Sequence, residues 1–432
     1  MLVTRFKGIK MICNFLYRIG LALVLIFPLI GHAASFNRPL SLAESEHLAI
    51  INSPELRQLE ANTNALAQKA IANAQLSDPE LIVGPANVPT NSFSFTQDDM
   101  TMINIGLQQS FPRGHSLKVK SNQTRALAKA QQRKLQEQAA LLLRSVRETW
   151  LDLYYWVEAK RIVRKNQFLY QRLLKATESN YSAGKGNQSD VLQVQVESSR
   201  LNDEVAQIEQ QIGILRAQLG RWIGVEPANR FLSQRLPRWP KPPSLDFIKA
   251  RLARHPLLKI DDANIEAARD DVAYANEQYK PGWMLDVGYS IRQGKMSNGK
   301  PRSDFVGAQL TVDLPIFPGN RQNRELLASA YQLEGAQLEQ VIHYRDLTKE
   351  LDSQYAIWRS LSKRENIYRG QLIPEAKQNA KAALLGYQNA GVDLTTVLRA
   401  YSAELTIQLE KFQVQIALLK TRAALLYLEG LA

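Results

Sequence analysis

The stretch that decides the fold reads WMLDVGYSIR over Trp283–Arg292 and VGAQLTVDL over Val306–Leu314. In both runs apolar and polar residues alternate, and Asn298-Gly299 lies between them. This period of two is typical of β-strands with one apolar and one polar face. Strands of about ten such residues can cross a membrane with lipid on one face and water on the other. A half-buried soluble hairpin is the alternative interpretation.

The first half of the chain carries a second hairpin pattern. Apolar and polar residues alternate over Ile103–Phe111, and a weaker partner strand is predicted over Leu81–Phe95, which contains Pro85 and Pro89. Four strands cannot close a membrane barrel, for which about eight is the minimum, and open sheet edges are not tolerated in lipid. Two chains would give a barrel too narrow for a water-filled pore, whereas three would give twelve strands. The strands therefore predict a trimer.

Residues 1–33 have the pattern of a signal peptide. A basic stretch precedes the apolar run Ile19–Ile30, and Gly31-His32-Ala33 fits a cleavage site between small residues. We therefore expect export across the inner membrane. The single cysteine, Cys13, lies in this leader, so the mature chain is predicted to form neither a disulfide nor a thiolate metal site.

The remaining sequence is a tandem duplication. Matching positions recur in the same order about 200 residues apart, and they include Ser41-Leu42 with Ser244-Leu245, Ala61-Asn62 with Ala263-Asn264, and Tyr181 with Tyr387. We predict a first repeat over 34–236, a Pro-rich linker over 237–243 and a second repeat over 244–432. Each repeat is expected to contain a helix, two strands, a long helix, a turn and a further helix.

Long amphipathic helices dominate both repeats. Ser116–Asn180 contains no Gly or Pro, and as one helix it would extend about 98 Å. After the turn, apolar residues recur in a heptad pattern from Val194 to Leu219, and a similar pattern runs from Leu405 to Leu426. Pro374 is predicted to kink the second long helix. On the helices alone, a periplasmic coiled-coil scaffold is an equally good interpretation; the amphipathic strands favour a membrane protein.

Composition and motifs exclude several other functions. The chain has 54 Lys and Arg residues against 41 Asp and Glu residues, but no block of basic residues outside the leader, so we expect no nucleic-acid partner. The histidines at positions 47, 115, 255 and 343 have no metal-binding spacing, and no catalytic motif is present. We therefore predict no enzyme activity, no cofactor and no metal site. His255 stands where the first repeat has Ser53, directly before a proline, so a structural role is predicted for it.

The duplicated plan resembles that of the TolC-like outer-membrane factors, the exit ducts of tripartite efflux and secretion machines. The resemblance covers about residues 40–432 and rests on the two helical turns followed by Val-Leu and on two Pro-terminated strands, Phe111-Pro112-Arg113-Gly114 and Leu314-Pro315-Ile316-Phe317. Three further segments resemble the CzcC-like subgroup, which serves heavy-metal pumps of the resistance-nodulation-division (RND) class: Asp78-Pro79-Glu80-Leu81, Asn87-Val88-Pro89 and Gln109-Ser110-Phe111-Pro112.

This resemblance implies a mainly α fold with a small membrane β part. Tandem-duplicated coiled coils would form a periplasmic α-barrel, and four strands per chain would form a trimeric 12-stranded β-barrel in the outer membrane. The implied partners are outer-membrane lipid, a periplasmic adaptor protein and an inner-membrane RND-type pump. Heavy-metal cations are the expected cargo, and drugs or a protein secreted by a type I system are the alternatives.

The resemblance also places the closed end of the duct at the two helical turns. The expected aperture residues are Asp190, Tyr387, Asp393 and Arg399, and the expected adaptor-contacting residues are Gly184, Lys185, Gly186, Gly391 and Val392. In the family, acidic residues just beyond the second turn often ring the pore, whereas this chain has Thr396 and Arg399. Because carboxylates also favour helix N-termini, the two aspartates have helix capping as their alternative role. We expect Arg399 to pair with one of them, in its own or a neighbouring chain.

Overall fold

A computed structural model describes residues 38–389 and 391–430, and most of them are helical. The α-helices are α1 (Leu42–Asn52), α2 (Pro54–Ala72), α3 (Ser116–Ser182), α4 (Gln188–Ile223), α5 (Val225–Ala228), α6 (Leu245–Arg251), α7 (Pro256–Glu277), α8 (Gln322–Ile367), α9 (Ile373–Gln388) and α10 (Leu394–Leu428). A 3₁₀ turn, Leu252–Arg254, joins α6 to α7, and a π-helical segment, Tyr368–Leu372, joins α8 to α9. The predicted signal peptide, 1–33, lies outside the described residues.

Four antiparallel strands form one sheet in sequence order. They are β1 (Glu80–Ala86), β2 (Met102–Phe111), β3 (Gly282–Arg292) and β4 (Phe305–Asp313). The two hairpins come from different repeats, and β2 pairs with β3 along its whole length. The predicted hairpins are therefore present, and they are joined edge to edge.

The first strand is shorter than predicted. The sequence suggested pairing over Leu81–Phe95, but β1 ends at Ala86. Asn87 adopts a left-handed conformation with φ of 54°, and Pro89 has no backbone N–H to donate, so the ladder stops there. Pro85 lies within the strand, in register with Ile103 of β2, and has no backbone N–H to donate to a neighbouring strand.

Two helical spans of equal length run away from the sheet. α3 is a single helix of 67 residues, about 100 Å long, which confirms the predicted long helix. In the second repeat α8, the π-helical segment and α9 contain 46, 5 and 16 residues, which together match α3. Pro374 cannot donate a helical hydrogen bond. A π-helical turn lies just before Pro374, and the kink predicted at this residue stays a prediction.

The spacing of the buried positions in the two long spans changes by one residue across the π-helical segment, whereas the ends of the spans, Ser116 with Gln322 and Ser182 with Gln388, are both 206 residues apart. Towards the sheet, buried Leu142 and Val146 of α3 correspond to buried Leu347 and Leu351 of α8, a spacing of 205 residues. At the far turns the spacing is 206, because Asn187 and Asp393 occupy equivalent positions before α4 and α10. A π turn holds one residue more than an α turn, so it absorbs the difference.

Both repeats begin with the same pattern of helix caps. Ser41 Oγ accepts a hydrogen bond from the N–H of Glu44 at 3.1 Å, and Ser244 Oγ caps α6 in the same way. The second helix of each repeat starts at a proline, preceded by Ser53 or by His255. His255 Nδ1 accepts from the N–H of Leu257 at 3.3 Å, so the predicted structural role of His255 is confirmed.

α3 is the central helix of the bundle, since it packs against α2, α4, α7 and α10. The heptad positions of α4 and α10 point into this bundle, and the fully buried ones among them are Val194, Leu201, Ile208, Leu219, Leu405, Ile416 and Ala423. All of them except Ala423 belong to two apolar clusters that also contain residues of α3, which confirms the predicted seams. No helix within 38–389 and 391–430 is long and apolar enough to span a membrane.

Candidate functional site

The sheet separates apolar and polar side chains into two faces. Strand register places Leu285 opposite Leu310 and Val312 opposite Trp283, and these side chains are exposed on one face with Val287. Gln309 lies on the opposite face, in register with Asp286. The alternation predicted for β3 and β4 is therefore confirmed. In β2 it has one exception, since Gln109 lies on the apolar face opposite Leu285.

The polar face contains one acidic row beside a row without bulky polar side chains. Glu80, Gln108, Asp286 and Gln309 are in register across the four strands. The next row on this face consists of Ile82 and three glycines, at positions 106, 288 and 307. Each chain therefore brings two carboxylates to one level, next to open space.

The two helical turns at the far end share their backbone hydrogen bonding. In the first turn, the N–H of Lys185 donates to the carbonyl oxygen of Asn180 at 2.8 Å. In the second turn, the N–H of Gly391 donates to the carbonyl oxygen of Gly386, also at 2.8 Å. These six-residue closures are the Schellman type of helix end. Gly184 has φ of 68°, a left-handed conformation that glycine adopts without strain.

In each turn a large residue packs against a glycine, and the glycine is at opposite ends of the closure in the two turns. Asn180 faces Gly186 in the first turn, where a Cβ added to Gly186 would lie 3.4 Å from the Cβ of Asn180. In the second turn, Gly386 faces Val392, and a Cβ added to Gly386 would lie 3.1 Å from Val392 Cγ2. One large and one small residue fill the same place in each turn, so the predicted turn residues include a packing contact.

The predicted aperture residues all lie at this end of the molecule. Asp190 is partly exposed in the first turn of α4, and exposed Asp393 holds the N-cap position of α10 without a side-chain capping bond. Tyr387 packs against the apolar cluster between the helices. Arg399 is exposed. Among the described residues, no ion pair joins Arg399 to an aspartate of its own chain, and the expected pairing stays a prediction.

Arg399 instead lines a groove between α4 and α10 that the sequence did not indicate. The groove has a volume of about 1000 Å³ and contains exposed Leu192 and Val196. Thr395 and Gln193 approach to 3.3 Å across it. The sequence feature that could have indicated this groove is the pair Leu192 and Val196, which are apolar, one helical turn apart and outside the heptad seam.

The described residues contain no group of three or more His, Cys, Asp or Glu side chains arranged to hold a metal ion. The site is thus a sheet with an exposed apolar face at one end and a grooved pair of turns at the other. The sequence profile of the outer membrane efflux protein family matches residues 47–225 and 247–431.

The chain belongs to the outer membrane efflux protein family.

Solved structures share the fold of this efflux protein at low sequence identity. VceC from Vibrio cholerae, an outer membrane protein, is 16% identical with a TM-score of 0.77, covering 90% of this chain and 96% of VceC. CusC, described in connection with transmembrane channel formation, is 16% identical with a TM-score of 0.76, covering 91% and 93%. The CmeC outer membrane channel of Campylobacter jejuni is 11% identical with a TM-score of 0.76, covering 90% and 85%. No curated protein sequence matches this chain.

Family membership fixes the general function. The protein is an outer membrane efflux channel, and channels of this family are transport ducts and not enzymes. The fold agrees with the expected combination of long helical coiled coils and a small β part.

Proposed function

We propose that three copies of this efflux protein assemble into the outer-membrane exit duct of a tripartite efflux system. In the assembly, four strands from each copy close a 12-stranded barrel, and the helices form a periplasmic tube. A periplasmic adaptor and an inner-membrane RND-type pump supply the cargo and the driving energy. The observation that carries the proposal is a helix face that one chain leaves uncovered.

That face lies on α8. Within the described chain, α3 packs against α2 of its own repeat and also against α7 of the other repeat. α8 packs against α7 of its own repeat, but no equivalent helix from another repeat of the described chain packs against its other side. Tyr331 and Ile342 of α8 are 63% and 50% exposed. Their equivalents in α3, Ala126 and Glu137, are 3% and 6% exposed. A second copy would cover the α8 face if its α2 took the place that α7 takes on α3.

The surface of α2 complements that face in size. Its outer side carries small exposed side chains, Ala61, Ala65 and Ala72, which suit the bulky residues of α8. The sheet supports the same arrangement, because β1 and β4 are its two edges. Pairing of β4 with β1 of the next copy would remove both edges, as a barrel in lipid requires. This contact joins different surfaces of the two copies, so repeating it with a rotation of one third of a turn would produce a closed ring of three.

The helical turns are proposed as the closed periplasmic end. Asp190, Tyr387, Asp393 and Arg399 would form the aperture, with Arg399 paired to an aspartate of a neighbouring copy. The turn residues Gly184, Lys185, Gly186, Gly391 and Val392 would contact the adaptor. Their exposure and their position about 100 Å from the sheet support this assignment.

Heavy-metal cations are the proposed cargo. The CzcC-like segments include Glu80, which stands in the acidic row of the polar face with Asp286. Three copies would place six carboxylates around one level of the barrel, with glycines beside them. Such a ring favours cations through electrostatic attraction and leaves room for them to pass.

Two measurements test the assembly and the cargo. Native mass measurement of the detergent-solubilised protein should give three chains; a stable monomer would overturn the assembly.

A strain lacking the protein should become sensitive to divalent transition-metal salts and should be rescued by the wild-type gene. Sensitivity confined to drugs would overturn the cargo.

The acidic row has a test of its own. Asp286→Asn and Glu80→Gln together should lower the cation selectivity of the channel in planar bilayers, whereas Gln309→Asn, at the same level of the sheet, should not. Unchanged selectivity in the double variant would mean that the row does not select the cargo.

A further inference from the structure

A buried cluster of titratable side chains joins the two repeats between the sheet and the turns. Glu137 comes from α3 in the first repeat, His255 stands at the start of α7, and Tyr427 lies near the end of α10. The three residues are only 6%, 2% and 5% exposed. Any charge in this cluster is therefore held away from water.

The contacts within the cluster are short and specific. The Tyr427 hydroxyl donates to Oε1 of Glu137. His255 Nδ1 lies 3.8 Å from Oε2 of Glu137 and accepts a hydrogen bond from the Leu257 N–H at 3.3 Å. The rings of His255 and Tyr427 meet edge to face, with their centroids 4.9 Å apart. Because Nδ1 accepts a bond from the backbone, the imidazole carries its proton on Nε2 when it is neutral.

Two polar atoms of the cluster have no hydrogen-bond partner among the described residues, Oε2 of Glu137 and Nε2 of His255. A carboxylate left buried with a free oxygen carries a large desolvation cost. The charged groups around the cluster are Arg144 and Glu148 of α3 and Glu350 of α8. Arg144 is bound to Glu350 at 2.7 Å and to Glu148 at 3.0 Å, and its guanidinium carbon lies 5.4 Å from the centroid of the Tyr427 ring. These three side chains carry one net negative charge, so they do not compensate a charge on Glu137.

We infer that Glu137 is protonated and His255 is neutral in the native protein near neutral pH, and that this uncharged pair makes the junction between the repeats sensitive to pH. Since Oε1 of Glu137 accepts from the Tyr427 hydroxyl, the acid proton lies on Oε2, 3.8 Å from Nδ1 of His255, whose lone pair already accepts from the Leu257 N–H. Charging either residue puts an uncompensated charge into the apolar junction and weakens the contact of α3 with α7 and α10. The inference concerns a single chain and does not depend on the proposed trimer or cargo.

The direction of each pKa shift agrees with this geometry. Burial lowers the pKa of His255 to about 4, so the stability that its neutral form contributes is present above about 6.5 and is lost as the pH falls from 6.5 through 4. Burial also raises the pKa of Glu137, although the hydrogen bond from the Tyr427 hydroxyl acts in the opposite direction. The stability due to the protonated acid is therefore lost as the pH rises through that raised pKa.

The first repeat offers a matched variant, because Ser53 caps α2 at the position equivalent to His255. His255→Ser should keep the cap and remove the titrating imidazole, and Glu137→Gln should keep a neutral side chain of the same shape. Thermal unfolding of the detergent-solubilised full chain from pH 4 to pH 9 is the measurement. We expect the unfolding temperature of wild type to fall by several degrees at each end of the pH range. His255→Ser should reduce the fall on the acid side, and Glu137→Gln should reduce the fall on the alkaline side.

Glu429 provides the control, since it is equally buried but lies 2.6 Å from Nη1 of Arg422. Glu429→Gln should lower stability at neutral pH and leave the alkaline limb unchanged. Infrared difference spectra of wild type against Glu137→Gln should contain a protonated-carboxyl band at pH 7. A band from an ionised carboxylate only, or variants whose two limbs match wild type, would overturn the inference. The infrared spectra decide the case even if one variant unfolds.

Discussion

Val392 packs over Gly386 in the second helical turn, where a Cβ on Gly386 would lie 3.1 Å from Cγ2 and 3.4 Å from Cγ1 of Val392. Gly386 lies within α9, a position where alanine would otherwise be favoured over glycine by about 1 kcal/mol. The glycine is therefore explained by its neighbour and not by the helix.

This contact predicts that two substitutions are coupled. Gly386→Ala alone should gain little or lose stability because the methyl group crowds Val392. In a Val392→Ala background, the same change should stabilise the turn by up to about 1 kcal/mol. Amide hydrogen exchange in α9 and α10 measures the effect locally. Independent, additive effects of the two substitutions would contradict the packing argument.

Membrane depth can be tested on β4. Leu310 lies on the apolar face and Gln309 on the polar face of the same strand. Leu310→Arg should destabilise the inserted protein by about 2–4 kcal/mol if the residue is near the bilayer midplane, whereas Gln309→Arg should be tolerated. Urea unfolding in lipid vesicles gives both values. Equal tolerance at the two positions would mean that the apolar face does not contact lipid.

The uncovered face of α8 predicts where assembly fails. Ile342→Glu or Tyr331→Glu should place a charge between α8 and α2 of the next copy and shift the protein towards monomers. Gln337→Glu is the matched control, because its equivalent in α3, Gln132, remains exposed in the bundle. Light scattering after size-exclusion chromatography reports the mass. If Ile342→Glu and Tyr331→Glu both retain the mass of the control, the α8 face is not the subunit contact.

The aperture residues predict a change in conductance. Arg399→Ala, Asp393→Ala and Asp190→Ala should each raise single-channel conductance in planar bilayers, because each removes one side of a proposed contact between copies. Such a pair in a narrow constriction should contribute more than the roughly 0–1 kcal/mol of an exposed pair. Arg200→Ala is the control, since Arg200 lines the same groove but is bound to Glu197 of its own chain at 2.8 Å.

If the three aperture variants leave conductance and its salt dependence unchanged, the gate lies elsewhere. The two aspartates would then serve only the starts of their helices, which is where the structure places them.

Local sequence patterns were sufficient for most of the fold. The absence of Gly and Pro predicted α3, and strict alternation predicted β3 and β4, because each pattern reflects the period of one element. The length of β1 was overestimated, since the apolar pattern continues past Asn87 although the left-handed backbone there ends the ladder. Comparison of the repeats predicted a structural role for His255, because it stands where the first repeat has Ser53, and the structure shows that this role is a helix cap.

Contacts between distant segments were harder to predict. The groove around Leu192 and Val196 depends on how far α4 and α10 diverge, and no spacing within either helix encodes that distance. The pairing of Glu137 with His255 joins residues that are far apart in sequence, and neither lies in a recognisable motif. The partner of Arg399 was left open between its own and a neighbouring chain, because nearness in sequence to Asp393 does not fix the direction of an exposed side chain.

The equal length of α3 and of the span from α8 through α9 limits which insertions and deletions such a chain can accept during evolution. Each span sets the depth of one turn below the sheet, and the two turns must end level with each other. Loss of one heptad from α3 alone would raise its turn by about 10 Å relative to the other. Insertions and deletions in the two halves should therefore be inherited in pairs, or be absorbed, as the single residue at Tyr368–Leu372 is, within one turn of helix.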